Sequence, residues 1–112
     1  MSGLRLSDLS RARRDLIRLC QDIVYGQLIG ISIKRGDPVL NPPPTILIEV
    51  KLDASDDPRV ELALPDFTLR EEIIRLLKRL DHLGDGFIDR LEVRAGIPRR
   101  MIIRHEVGGV RQ

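Results

Sequence analysis

Glu72-Ile73-Ile74-Arg75-Leu76-Leu77-Lys78-Arg79-Leu80-Asp81-His82-Leu83-Gly84-Asp85-Gly86-Phe87-Ile88-Asp89-Arg90-Leu91-Glu92-Val93 is the stretch on which the fold turns. Its first half is an amphipathic helix, with Ile73, Leu76, Leu77, Leu80 and Leu83 at helical spacing. Two glycines around Asp85 stop that helix. The residues beyond the helix support two incompatible readings. In one, the helix runs into a calcium loop. In the other it runs into a β-hairpin, as the second copy of an internal repeat.

The repeat reading rests on a shift of sixty residues. Leu16, Ile17, Cys20 and Ile23 then fall on Leu76, Leu77, Leu80 and Leu83, and Gly26 falls on Gly86. Leu28, Ile31 and Ile33 fall on Ile88, Leu91 and Val93, and Gly36 and Pro38 on Gly96 and Pro98. Removing three residues at the proline run brings Glu49-Val50 onto Glu106-Val107. Each half therefore reads helix, glycine turn, strand, Gly-x-Pro turn, strand. One helix and one hairpin cannot bury their apolar faces alone. Two copies can, by joining hairpins into one sheet and laying both helices on one face.

Outward from this stretch, the elements take shape in order. The apolar spacing predicts a helix over 9–24, capped by Asp8 or Ser7 and carrying Arg11, Arg14 and Arg18 on its polar face. Leu28 to Lys34 is expected as a strand, with Ile29, Ile31 and Ile33 on one face. Arg35-Gly36-Asp37-Pro38 is turn chemistry rather than an adhesion motif. Pro42-Pro43-Pro44 is a rigid piece of loop, and Thr45 to Leu52 a strand with Ile46, Ile48, Val50 and Leu52 on one face. Asp53 to Pro58 is a polar loop, and Arg59 to Leu64 a candidate extra strand. Thr68 with Glu71 makes a capping box for the second helix. Met101 to Val107 is expected as the last strand. The sheet's open face would carry Ser32, Lys34, Glu49, Lys51, Arg90, Glu92, Arg94, Arg104 and Glu106.

The half-unit, on Tyr25-Gly26-Gln27-Leu28 through Ile33 and on Gly86 to Val93, resembles the small uncharacterised bacterial YezD-like proteins. That resemblance implies a helix leading through a glycine step into a hairpin, and no activity.

The calcium reading rests on position. An EF-hand loop needs oxygen ligands at 1, 3, 5 and 9, glycine at 6, an apolar residue at 8 and glutamate at 12. Counting from Asp81 gives Asp81, Leu83, Asp85, Gly86, Ile88, Asp89 and Glu92. The segment thus resembles an EF-hand, which implies Asp81, Asp85, Asp89 and Glu92 as side-chain ligands and Phe87 as a backbone one. Leu83 stands where an oxygen is needed, and Pro98 interrupts the second helix such a motif requires. The first-half counterparts Gln21, Ile23, Tyr25, Ile29 and Ser32 hold no acid.

Bulk properties narrow the classes. The chain has 112 residues, enough for a single domain with pseudo-repeat halves over 8–52 and 68–107. Hydrophobic residues are 42% and charged residues 32%, which suits a soluble globular protein and excludes a disordered one. No apolar run reaches the roughly 18 residues of a membrane span, and Met1 to Arg5 lacks a signal-peptide core. A cytoplasmic, bacterial setting is the expectation. Cys20, the one cysteine, lies on the apolar stripe and reads as a small buried hydrophobe. Net charge is +2, and the cations are nearly all arginine. Arginine suits phosphate recognition, and Arg90, Arg94, Arg99, Arg100 and Arg104 form a candidate basic patch. Aromatic residues at 3% leave no stacking platform for single strands. No nucleophile lies beside a plausible base, His82 and His105 fall in a helix end and a strand, and there is no phosphate loop.

The expected fold is α+β, a two-layer sandwich of a tandem α-β-β repeat. Its antiparallel sheet has four or five strands, with two helices on one face. The expected function is non-catalytic, with no cofactor, as a protein-interaction or self-associating module whose partner is another copy or another protein. Calcium binding over 81–92 is the alternative, and nucleic-acid binding through the five arginines is the third reading.

Overall fold

Apolar residues alternate along the two longest strands and repeat at helical spacing along both α-helices, and those two periods account for the layers. The computed structural model describes residues 4–52 and 68–104. A short 3-10 turn at Leu6–Asp8 leads to α1, Arg11–Ile23; then come β1, Tyr25–Lys34, β2, Asp37–Val39, and β3, Thr45–Ile48. The second part runs α2, Glu71–Leu83, β4, Gly86–Arg94, and β5, Ile97–Arg104. The fold is α+β, with a five-stranded antiparallel sheet in the order β2-β1-β4-β5. β3 lies on the same side of β1 as β2, against its first half. The Asp53–Pro58 loop, the candidate strand Arg59–Leu64, His105, Glu106 and Val107 lie outside the described residues.

A single core joins the layers. Leu16, Ile17, Cys20 and Ile23 of α1 and Ile73, Leu76, Leu77 and Leu80 of α2 are buried against Leu28, Ile31, Ile33, Ile88, Leu91 and Val93 of the sheet. Cys20 is completely buried among them, and burial pushes its thiol from 9.0 up to about 12. Three decades less thiolate result from such a shift. Ellman's reagent at pH 8 should therefore label the native protein about a thousand-fold more slowly than the chain in guanidinium. Fast labelling without denaturant would mean that α1 does not pack on this core.

Two reciprocal contacts hold the halves together. The amide of Gly36, in the β1–β2 turn, donates to the carbonyl of Gly84 at the end of α2 (2.7 Å). The amide of Gly96, in the β4–β5 turn, donates to the carbonyl of Val24 at the end of α1 (2.8 Å). Both turns place two residues at positive φ, Arg35-Gly36 at 54° and 78° and Ala95-Gly96 at 54° and 76°. This is the two-residue hairpin turn whose twist matches that of its strands.

Four details depart from the sequence expectations. First, α1 is capped by Ser10, whose Oγ accepts from the Arg13 amide (3.3 Å) and donates to Asp37 Oδ1 (2.9 Å). Ser7 and Asp8 belong to the preceding 3-10 turn. Second, Thr68 does not cap α2. It forms a β-bridge with Arg5, and the Leu69 amide donates to Leu4 O (2.8 Å), so the chain stays extended until Arg70. Third, the buried face of β1 is Leu28, Ile31 and Ile33, not Ile29, Ile31 and Ile33. Gly30 at φ 83° shifts the alternation by one residue, a conformation open to glycine. Fourth, two strands have other bounds: the one expected over 45–52 ends at Ile48, and the one expected from Met101 already begins at Ile97, because the turn takes only Ala95 and Gly96 and pairing resumes at Arg94↔Ile97.

Candidate functional site

β3 is built from Thr45-Ile46-Leu47-Ile48, a run of β-branched and aliphatic residues suited to an extended chain. It pairs with β1 through Gly26↔Ile48, Gln27↔Leu47, Leu28↔Ile46 and Ile29↔Thr45. Gly26 makes that approach possible. A Cβ there would overlap the Leu47 carbonyl oxygen and come within 3.1 Å of Ile48 Cα. The pairing continues one residue past the strand, because the Glu49 amide donates to Tyr25 O (2.8 Å).

Odd-numbered residues of β3 thus turn their backbone toward β1. By the alternation of an antiparallel ladder, Ile46 and Ile48 turn theirs outward. Among the described residues that outer edge has no strand partner. Its side chains are uncovered too. Ile46 is 40% exposed, Ile48 60%, Val50 69% and Leu52 96%, and Leu47 on the opposite face is 50% exposed. Five exposed large apolar residues within seven positions flank an edge that has no strand partner among the described residues, an arrangement that soluble monomers avoid.

At the other edge of the sheet the chemistry differs. β5 exposes Arg99, Arg100 and Arg104, charges that discourage strand addition. These arginines belong to the basic patch expected from sequence: Arg90, Arg94, Arg100 and Arg104 are exposed on the hairpin face away from the core, and Arg99 turns toward α2. Arg99 is an extra residue in the β4–β5 register, between Pro98 and Arg100, and reaches Glu72 of α2 (3.6 Å). Arg104 pairs with Asp89 (2.7 Å) and lies over the Phe87 ring, and Arg100 lies 4.0 Å from Glu92. Arg90 and Arg94 are exposed on β4. Three of the five cations are thus answered by acids of the same molecule. A groove of about 170 Å³ between α2 and β5, lined by Arg75, Arg79, Leu76, Leu91 and Met101 among others, shows the same pattern. There Arg75 is held by Glu71 (2.6 Å).

Residues 81–92 do not wrap around a point. Phe87, Asp89 and Glu92 lie along the extended strand β4. Asp81, in the last turn of α2, is paired with Arg13 (2.5 Å), and Asp85 accepts from the Arg35 amide (2.8 Å). Among the described residues no group of three or more His, Cys, Asp or Glu side chains gathers to hold a metal ion. The helix-to-hairpin reading of the opening stretch is the one the backbone takes. The acidic residues that looked like ligands act as clamps: Asp81 and Asp85 join α2 and its turn to the first half, and Asp89 joins β4 to β5.

Sequence reasoning passed over Arg13. Its side chain is 15% exposed, with Nε and Nη2 both donating to Gly36 O (3.1 and 2.8 Å), and it also lies 3.5 Å from Asp37. Only its position one helical turn from Ile17 hinted that it faces the protein. Its counterpart sixty residues on, Ile73, is an ordinary core residue.

No helix among the described residues is long and apolar enough to cross a membrane. No family model, no curated protein and no solved structure matches the chain.

Proposed function

We propose that this protein is a non-catalytic interaction module, and that its working surface is the β3 edge. The observation that carries the reading is the exposure of Ile46, Leu47, Ile48, Val50 and Leu52 along a strand edge that no other strand joins among the described residues. Such an edge binds an extended polypeptide by adding a strand, with main-chain hydrogen bonds supplying affinity and alternate side chains supplying specificity. The guarded β5 edge and the acid-paired arginines favour this surface over the basic patch. The tandem origin of the two halves belongs to the same proposal. It is supported by the paired contacts Gly36–Gly84 and Gly96–Val24, and by the matching turns at 35–36 and 95–96.

The test is site-specific photocrosslinking in the producing cell. Benzoylphenylalanine at Leu47 or Leu52 should yield adducts to a polypeptide, identified by mass spectrometry as this chain or another. The same residue at Arg75 or His82, on the helix layer, should not. Adducts from the helix-layer positions alone would overturn the reading, as would no adducts at all.

A further inference from the structure

We infer that the groove between α2 and β5 binds a small apolar carboxylate, its apolar body seated on the core and its carboxylate paired with Arg79. The groove lies at the edge of the sheet away from β3, so it stands apart from the interaction reading.

Helix spacing and a strand bulge make the groove. Glu72, Arg75, Leu76 and Arg79 recur at helical spacing, so one side of α2 turns them together toward β5. Arg99 is the extra residue of a bulge in β5, a device by which a strand re-aims a side chain. The bulge takes Arg99 off the ladder and toward Glu72 (3.6 Å). The floor between helix and bulge is Leu76, Leu91 and Pro98, all buried, with the partly buried Met101 beside them. An apolar cavity of about 150 Å³ takes one benzene ring. The groove's volume of about 170 Å³ therefore suits a single ring or a short alkyl chain. A polypeptide partner would need roughly 1,000 Å² of contact surface instead.

The rim selects the charge. Four guanidinium side chains line the groove, those of Arg75, Arg79, Arg99 and Arg100. Three of them have an acid of the same molecule nearby: Arg75 has Glu71 (2.6 Å), Arg99 has Glu72 (3.6 Å) and Arg100 has Glu92 (4.0 Å). Among the described residues no acid pairs with Arg79. Four cations less three acids leave one positive charge, which balances one carboxylate rather than a phosphate dianion. The planar fork of Arg79 can donate to both carboxylate oxygens at once. Apolar walls with a few polar groups that fix orientation are the general form of a small-molecule site.

Benzoate, benzyl alcohol and benzylammonium, titrated into the methyl-labelled full chain and followed by NMR, test the assignment. Salt of about 0.1 M screens charges more than roughly 10 Å away. Benzoate should shift the methyl resonances of Leu76, Leu91 and Met101 saturably, with a Kd of about 1 mM. Benzyl alcohol should bind roughly fivefold more weakly, and benzylammonium more weakly still. Arg79→Gln should reduce benzoate affinity to that of the alcohol and leave the alcohol unaffected. Arg90→Gln removes the same charge from the sheet's open face and should leave benzoate binding unchanged. Both arginines are exposed, so neither substitution disturbs the core. The inference is overturned if benzoate gives no saturable shift, including because residues of the same chain fill the groove. It is also overturned if the three probes bind alike, if the shifts centre on other residues, or if the two variants affect benzoate equally. None of these outcomes bears on the β3 edge, which the photocrosslinking tests separately.

Discussion

Gly26→Ala should lower the stability of the protein by about 3 kcal/mol or more, through steric conflict between backbones. The new methyl would overlap the Leu47 carbonyl oxygen, and Ile23 Cγ2 stands 2.9 Å away on the other side. Neither neighbour can retreat cheaply. Leu47 is fixed by the β1–β3 ladder, and Ile23 is the last residue of α1 and 4% exposed. The strand must detach or the helix end must move. For a domain of this size the melting temperature should fall by roughly 10 to 20 °C. Gly86 provides the control. A Cβ there meets only Leu83 atoms at 2.7 to 3.0 Å, a partly buried side chain at the end of α2 that can rotate aside. Gly86→Ala should therefore cost less. Circular dichroism melts compare the two, and a Gly26→Ala melt within a few degrees of wild type would show that β3 is not seated against β1 as described.

Arg13→Ala should cost about 2 to 4 kcal/mol, an effect of the kind seen when a mostly buried charged donor is removed from its acceptors. The guanidinium ties α1 to the β1–β2 turn through Gly36 O, and to α2 through Asp81. Asp81 and Asp37 are 67% and 46% exposed, so solvent and salt screen the ion-pair share. Most of the loss comes from the two hydrogen bonds to Gly36 O and from the buried stem of the side chain. Urea unfolding in low and high salt separates these contributions. Wild type should keep most of its advantage over the variant in 1 M salt, where the Debye length is about 3 Å. Arg13→Lys should fall between, because an ammonium cannot reproduce the fork that spans Gly36 O and Asp81. If Arg13→Ala unfolds at the same urea concentration as wild type, the clamp contributes nothing.

Much of this architecture was readable in the residues. The stripes Leu16-Ile17-Cys20-Ile23 and Ile73-Leu76-Leu77-Leu80 are buried as their spacing implied, because a helix can bury only one face and those positions define it. Both hairpin turns stand where glycine allows positive φ. The helix starts were less legible. Thr68 has the chemistry of a cap, but pairing with Arg5 across the chain holds it extended. The face of β1 was half legible, since alternation carries no mark of the one-residue shift that Gly30 introduces.

The candidate site divides in the same way. Local pattern announced an apolar strand beginning at Thr45, but not that it ends at Ile48. It also suggested Asp81, Asp85, Asp89 and Glu92 as neighbours, because linear spacing treats them as one loop. The sequence by itself determined the helices, the turns and the identity of most core residues, all consequences of short-range periodicity and backbone sterics. Only the tertiary structure decided that β3 lies on an edge with its apolar residues uncovered, that Arg13 holds Asp81, and that Arg99 turns away from the other arginines toward α2. Each of these depends on which strand lies beside which and on where a bulge turns a side chain. Those are relations between residues distant in the chain, and the same local pattern is compatible with several of them.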